Sequence, residues 1–526
     1  MSPGANITGV RPIVGMEIHV ELGTRTKMFT RVPNPAHAEA PEAAPNSLID
    51  PLVLALPGSL PVMNKAAVEM SIRVGLALGC QIAALSRWDR KGYYYPDLPK
   101  AYQISQYQLP LCFDGAVDLP ASDAQGFPDL SRPGRRIGIL RAHLEEDAGK
   151  LLHEAPGGRA IDFSIVDYNR AGTPLLEIVT QPDFAGADEC VLFARLLRAT
   201  CRALNVTAGV MQKGHMRFEP NIICELTLEG GRVVRTPIVE IKNLNSFRAL
   251  KAAIEFELRE QPGRWREDGL ESAPGAKTTR GWDDARGATF LQREKEDAHD
   301  YRYFPDPDLL PVAVDEAWRD RLGAGLPEAP LSRFRRYAGE YALPAKEAFS
   351  LCEERTNCDY LDAAVDALVE LGVDRSRAGK AAGNILLQAA ARRANERGVL
   401  ASALGLPPTR LAALARLRED GSLPAAGVES IFDELCTPGG EVAPRDALAH
   451  VESVAQRRGV LIVRDQGAMN AWIAQVLAAN PGAVEDVRAG RLQAAGRLVG
   501  EVMKLSGGQA DAKSVREAIL KDLGAG

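Results

Sequence analysis

The stretch "RAHLEEDAGK", residues 141–150, crowds Glu145, Glu146 and Asp147 beside His143, directly behind an apolar run. Adjacent carboxylates repel, so the triplet is either the solvated end of a strand or half of a cation site. Two other stretches carry the same chemistry. "IVGMEIHVEL" sets Glu17 and His19 two residues apart, and "PIVEIKNLNS" holds Glu240 between Val239 and Ile241. An acidic group on an otherwise apolar strand is costly unless it is paired or bound to metal. Together with Glu219 of "GHMRFEPN" these residues offer an oxygen-rich set suited to Mg²⁺, which takes carboxylates and water in octahedral geometry. Histidine fits that ion less well, so His19 is read either as a ligand for a softer ion or as a hydrogen-bond donor to a phosphate.

Several nucleotide and hydrolase signatures are absent. "GVDRSRAGKA" has the wrong spacing for a Walker A loop and no Ser or Thr after Lys380, and there is no GxGxxG behind a strand, no GxSxG and no HExxH. Nucleotide chemistry would therefore use a sheet-borne metal and basic side chains. Lys100, Lys150, Arg217 and Lys242 are the candidates, and each also reads as an ordinary solvated residue.

Alternation along the chain shows what must position these groups. In 14–22, Val14, Met16, Ile18, Val20 and Leu22 face one way and Glu17, His19 and Glu21 the other, as strand geometry requires. Leu140, Ala142 and Leu144 oppose Arg141, His143 and Glu145, and Met216 and Phe218 oppose His215, Arg217 and Glu219. Strands with one apolar and one polar face point to an antiparallel sheet, packed on one side and open on the other. In that phase Glu146 falls on the apolar side, so either the strand ends there or its carboxylate enters an enclosed site.

The breaker "YFPDPDLLP", 303–311, is the expected first boundary. Ala/Leu/Arg-rich segments with helical spacing follow it. The expected fold class is α+β: an antiparallel-sheet domain over 1–310, a helical domain over 311–410 and a helical tail domain over 411–526. A length of 526 residues exceeds one core, and 46% hydrophobic with 25% charged residues is ordinary for a soluble globular chain. The eight cysteines are scattered without a CxxC pair, which argues against a disulfide framework or thiolate zinc site. No signal pattern or membrane-length apolar run is present, so the expected location is cytoplasmic with no membrane association. Net charge is −6, although residues 451–526 carry +2.

Read in order, ten blocks resemble the B subunit of the tRNA-dependent aspartyl/glutamyl amidotransferase. They include "GMEIHVEL", "YYYPDLPKAYQISQYQLPLC", "RIGILRAHLEEDAGK", "DYNRAGTPLLEIVTQPD", "MRFEPNI", "VEIKNLNSF" and, near the end, "NPGAVEDVRAG" and "LVGEVMK". The resemblance implies a cradle-shaped, glutamine-synthetase-like catalytic domain, then a helical domain and a helical tail that engages tRNA. It implies ATP-dependent amidation of mischarged Glu-tRNA(Gln) or Asp-tRNA(Asn), with the side-chain carboxylate first phosphorylated. Ammonia would come from a glutaminase A subunit, and a small C subunit would link the two.

Carried over by motif, Glu17, His19, Glu145, Glu146 and Glu240 are expected to hold metal or phosphate. Glu219 is included with the metal, but the family often has aspartate there, in an "RCDAN" pattern where this chain has "RFEPN". Catalytic roles fall to His19, Glu146 and Lys242, and cofactor contacts to Lys100, Lys150 and Arg217. ATP and Mg²⁺ are the implied cofactors. Some members hold zinc with two Cys pairs aligning near Thr30, Val32, Asp50 and Val53; all four thiols are missing here, so no zinc is expected. "EDAHDYRYF", 296–304, reads equally as part of an ammonia path or as a structural loop. In the tail, Arg488, Arg491, Arg497 and Lys504 are expected to grip tRNA phosphates, against the alternative of solvated helix faces. Two competing functions remain at this point: a ligase amidating a free small acid, and a non-catalytic tRNA scaffold.

Overall fold

The computed structural model describes residues 6–40, 42–123, 125–155, 158–294, 301–436, 442–462 and 465–524. The chain forms two compact units, Met1–Arg333 and Phe334–Gly526.

A single large sheet dominates the first unit. Its main strands are β1 (Ile7–Glu21), β2 (Cys112–Leu119), β3 (Arg135–Glu146), β4 (Pro174–Thr180), β5 (Met216–Leu228), β6 (Val239–Lys242), β7 (Thr278–Asp283) and β8 (Ala288–Glu294), with the short Gln81–Ile82 beside β2 and Val233–Arg235 beside β5. Their spatial order is β8-β7-β6-β5-β1-β4-β3-β2. Neighbours run antiparallel except β6 and β7, which are parallel, so the sheet is mixed.

One face is mainly apolar. Val14, Met16, Ile18 and Val20 of β1, Leu176 and Ile178 of β4, Ala142 and Leu144 of β3, and Phe218 and Ile222 of β5 are all buried. Burying one such large side chain contributes roughly 1.5–3 kcal/mol. Three helices, Lys65–Ala77, Ala187–Ala203 and Phe247–Asp268, pack against the sheet. The last is started by Ser246, whose hydroxyl accepts from the Ala249 N–H, and stopped at Gly269 with φ 67°, a conformation glycine adopts without strain. Its buried Glu257 accepts from Thr289 on β8 at 2.5 Å and lies 3.3 Å from Arg280 on β7, tying the helix to the sheet's far edge.

Leu140 departs from the expected alternation: it is exposed, while Ile137 and Ile139 are buried. The cause is a register shift, because Val179 faces Arg141 but Thr180 faces Ile139, leaving Leu140 as the extra residue of a bulge. Beyond the bulge the expected phase is restored.

The segment from 303 to 311 is stitched into the first unit. Phe304–Pro305 pairs with Asp89–Gly92, and Val312–Ala313 pairs with Leu85–Ser86. Arg90 donates to Asp306 at 2.7 Å and to Asp308 at 2.8 Å. A proline-rich breaker in the sequence is thus a pinned strap, and the first unit continues past 310 to Arg333.

The second unit is helical. Pro408–Glu419 buries Leu411, Ala412, Leu414 and Ala415 against Arg355–Glu370 and Pro444–Arg457, so residue 411 lies inside a helix that shares its core with those before and after it. A distinct core starts at Met469 and runs to Leu523, built by Gln466–Ala479, Pro481–Arg488, Gln493–Leu505 and Ala512–Asp522.

Candidate functional site

The sheet's other face assembles the polar residues by register alone. Glu17 lies opposite Glu219 on one side, and His19 opposite Arg217. On the other side His19 faces Glu177, which in turn faces His143. Across four strands, one row therefore reads Arg217, His19, Glu177, His143, and the next reads Glu219, Glu17, Val179, Arg141. Glu240 reaches the same face through Asn221.

Three overlapping groups bring their donor atoms within 4.8 Å of one another: Glu17, His19 and Glu177; His143, Glu145 and Glu177; and Glu17, Glu219 and Glu240. His19 Nε2 is 3.6 Å from Glu17 and 3.5 Å from Glu177, and its Nδ1 is 3.9 Å from Glu219. His143 Nε2 lies 3.4 Å from Glu145 and 3.8 Å from Glu177. The Nδ1 atoms of His19 and His143 are buried without a hydrogen-bond partner among the described residues.

Such crowding shifts the titrations. Burial, then the charge of Glu177, push Glu17 up to about 7, with His19 only partly offsetting them. Burial disfavours the imidazolium of His19, yet its hydrogen bond to Glu177 and the charges of Glu219 and Glu177 outweigh that and raise it to about 9. Glu145 is held below the usual carboxylate range despite burial, by Lys91 first and then by His143. The surplus is thus carboxylate charge short of cations, and together with the orphaned imidazole nitrogens this donor set fits one or more divalent ions.

Basic groups flank the face. Lys242 donates to Glu219 at 2.7 Å and lies 3.8 Å from Glu240, which also accepts from Thr279 at 2.9 Å. Arg217 donates to Asp147 at 2.9 Å and lies 3.7 Å from Glu21.

Of the residues expected from the sequence, Glu17, His19, Glu145, Glu219 and Glu240 converge with Lys242 and Arg217 on this face. Glu146 does not. Strand β3 continues through Glu146, which faces Pro174, and alternation turns its buried carboxylate away from Glu145. There it binds Lys100 and accepts from the Ile104 N–H at 3.0 Å. Lys100 and Glu146 thus form a second compartment, lined also by Phe29, Leu98 and Gly172. Lys150 stands apart as well, exposed on the separate hairpin Lys150–Ala155/Arg159–Asp167. Glu177 and His143 complete the cluster and were not among the expected ligands. The signal for Glu177 was present in "PLLEIVT", a lone acid in an apolar strand, as for Glu240.

Thr30, Val32, Asp50 and Val53, where the resemblance implied missing zinc ligands, are joined by hydrogen bonds. Thr30 Oγ1 donates to Asp50 at 2.5 Å, Val53 N–H donates to Asp50 at 2.9 Å, and Val32 N–H donates to Thr30 at 3.1 Å. Nearby, the buried Lys27 Nζ donates to the Leu48 carbonyl at 2.7 Å and to that of Ala171 at 2.6 Å. In the tail, Arg488, Arg491, Arg497 and Lys504 are all exposed, and Arg491 pairs with Asp486 at 2.6 Å. Residues 296–300 of "EDAHDYRYF" lie outside the described residues.

Residues 12–320 match the family model of the GatB/GatE catalytic domain, and residues 366–523 match that of the GatB domain. The chain is 41% identical to the B subunit of the aspartyl/glutamyl-tRNA(Asn/Gln) amidotransferase of Kineococcus radiotolerans, over 98% of this chain and 97% of the relative. It is 39% identical to that of Rhodopirellula baltica, over 97% and 96%, and 40% identical to that of Synechococcus elongatus, over 98% of each.

The titrations set a testable sign. Because the carboxyl of Glu17 is raised to about 7, its protonated form stabilises the metal-free fold fully below the ordinary carboxylate range, and that stability is lost as pH rises through about 7. A divalent ion competes with that proton and, at His19, with another. Calorimetric titration with Mg²⁺ in buffers of different ionisation enthalpy is expected to show net proton release at pH 7 and tighter binding at pH 8.5 than at pH 6. Affinity independent of pH over that span would remove Glu17 and His19 from the ligand set.

Proposed function

The chain belongs to the GatB family, and from that premise we propose that it is the B subunit of an aspartyl/glutamyl-tRNA(Asn/Gln) amidotransferase, a ligase acting on Glu-tRNA(Gln), Asp-tRNA(Asn) or both. The observation that carries the mechanistic reading is the set of three donor groups on one sheet face, the central one linked to its neighbours through Glu17 on one side and Glu177 on the other. A carboxylate does not exchange oxygen for nitrogen directly, since oxide is a poor leaving group. The side-chain carboxylate of the esterified amino acid attacks the γ-phosphorus of ATP, ADP departs, and an acyl phosphate forms. Ammonia then adds to the acyl carbon, loses a proton and expels phosphate, leaving the amide.

The roles follow from position. Glu17, His19, Glu145, Glu177, Glu219 and Glu240 would hold Mg²⁺, which when bound neutralises charge on a transferring phosphoryl group. Lys242 and Arg217, fixed by carboxylate partners at the edge of the cluster, present positive charge to phosphate oxygens. His19, where it is not a ligand, donates from its imidazolium. Ammonia is assigned to a glutaminase A subunit, with a small C subunit in the same assembly. A ligase for a free small acid has no use for the separate helical core at 469–523, and a scaffold without chemistry has no use for a surplus of buried carboxylates. A cytoplasmic location fits the absence, among the described residues, of any helix long and apolar enough to cross a membrane.

The central test is amidation of Glu-tRNA(Gln) and Asp-tRNA(Asn), side by side, by the reconstituted complex. Glu177→Gln and Glu17→Gln are each expected to lower ATP-dependent amidation by at least about 100-fold, the scale of losing a main electrostatic stabiliser, while glutamine hydrolysis by the partner persists. Near-wild-type amidation at saturating Mg²⁺ would refute the metal assignment.

The loop around Thr30 and Asp50 is proposed to hold without zinc, through its own hydrogen bonds. Elemental analysis of the purified chain should find no stoichiometric zinc; one tightly held zinc per chain would contradict this.

Arg488, Arg491, Arg497 and Lys504 are proposed to meet tRNA phosphates. Removing residues 465–526, which takes out the distinct tail core without cutting the helix at Pro408–Glu419, should raise the KM for aminoacyl-tRNA. It should also flatten the salt dependence by roughly 0.7–0.9 log units for each phosphate no longer neutralised. An unchanged KM across salt concentrations would rule out the tail as a tRNA clamp.

A further inference from the structure

Beside the carboxylate cluster, side chains from two distant parts of the sequence form a continuous tyrosine array. Tyr107 stacks on Tyr303, with ring centres 4.2 Å apart and planes within 12°. Tyr303 meets Tyr301 edge-on at 6.1 Å, Tyr301 meets Tyr93 at 6.1 Å, and Tyr93 meets Tyr95 at 6.2 Å. Two cations rest on this array. The Arg141 guanidinium is 5.9 Å from the centre of Tyr107, and the Lys91 ammonium is 5.1 Å from that of Tyr301.

Arg141 differs from the other cations near the site. Lys100, Arg217 and Lys242 are each ion-paired to a carboxylate. Arg141 has no hydrogen-bond or ion-pair partner among the described residues, and its Nε is buried and unsatisfied. A half-buried guanidinium left without an acceptor costs stability unless a ligand supplies one. Arg141 is two residues before His143 on the same strand, a step of about 6.7 Å along the same face. Tyr107, whose ring Tyr303 covers on one face and Arg141 approaches at 5.9 Å from its centre, is 48% exposed and keeps open surface beside the guanidinium for stacking. An open aromatic ring beside an unpaired guanidinium is the combination that holds a base together with its phosphate.

We infer that Tyr107, backed by Tyr303, and Arg141 receive the 3′-terminal adenosine of the aminoacyl-tRNA, with the base on the Tyr107 ring and that nucleotide's phosphate on Arg141. The inference rests on the amidotransferase reading above. Its ligand is chosen by reach and charge. In aminoacyl-tRNA only a ribose and the short amino-acid side chain separate the adenine from the reacting carboxylate, which matches a subsite one step from the cluster. A single phosphate matches a single unpaired guanidinium. The adenine of ATP is separated from its reacting phosphorus by the ribose and two further phosphates, and three phosphates call for the ions and paired lysine on the Glu219/Glu240 side. Arg141 and Tyr107 are thus positioning residues that set the ester and its side chain over the cluster.

The experiment compares two uncharged transcripts of tRNA(Gln), one complete and one lacking the 3′-terminal adenosine, for binding to the reconstituted complex. The wild-type complex is expected to prefer the complete transcript by roughly 5- to 100-fold, the range of one base stack. Tyr107→Ala and Arg141→Met should bring that ratio towards one without changing the KM for ATP, and Tyr107→Phe should preserve it. The ratio is taken between two RNAs on one preparation, so a partly unfolded variant does not distort it. A wild-type ratio of one, or a full ratio kept in both Tyr107→Ala and Arg141→Met, overturns the inference. A raised KM for ATP with the tRNA ratio intact also overturns it and gives the subsite to the adenine of ATP. A wild-type complex that amidates neither aminoacyl-tRNA defeats the underlying reading instead, and so is told apart from failure of this subsite.

Discussion

Mutual repulsion among carboxylates on one side of a sheet is the constraint around which the first unit is organised. Glu17, Glu177, Glu219 and Glu240 stand on neighbouring strands, with Glu145 at the rim, and strand spacing of about 4.8 Å gives them no room to separate. Only two things make the arrangement tolerable. One is the apolar face directly behind, where β1, β3, β4 and β5 bury their alternate residues and fix the register. The other is positive charge, supplied in part by His19, Lys242 and Arg217 and in the remainder by whatever cation binds. The fold thus stores in its backbone pairing an affinity for positive charge.

That organisation was largely legible in the sequence, because its two determinants are local. Period-2 alternation around Glu17, His19 and Arg217 places each residue on a face without knowledge of its neighbours, and the polar phases met as the pattern implied. What the sequence did not show was pairing order. Glu177 joins the cluster only because β4 inserts between β1 and β3, a fact of topology that no local pattern contains. Leu140 was misplaced for a related reason, since a bulge is defined by the partner strand. Glu146 sat at the point where alternation itself posed a choice between a strand end and an enclosed site; the strand runs on, and the enclosure faces away from the carboxylate cluster.

Punctuation residues were less informative than periodicity. The prolines of 303–311 mark a break in regular structure, yet Arg90, Asp306 and Asp308 secure that break to the body of the first unit. Helical spacing after 408 likewise announced helices without announcing which of them share a core. Pro408–Glu419 belongs with Arg355–Glu370, and only from Met469 does the chain build a core of its own. A boundary is a property of contacts, and residue composition samples contacts poorly.

The adjacency of Glu145 and Glu146 has a consequence for how this chain can change over evolutionary time. Two neighbouring acids serve opposite sides of one sheet, the first held by Gln103 and Ser105 beside His143, the second by Lys100 and the Ile104 N–H. Point substitutions elsewhere on β3 leave this division intact. A single-residue insertion or deletion between the bulge at Leu140 and Glu146 would instead exchange the two sides, sending one acid into the wrong compartment and Leu144 into the cluster. A change of residue count between His143 and Glu146 would therefore disturb both compartments at once, whereas the hairpin of Lys150–Ala155 and Arg159–Asp167 carries neither acid.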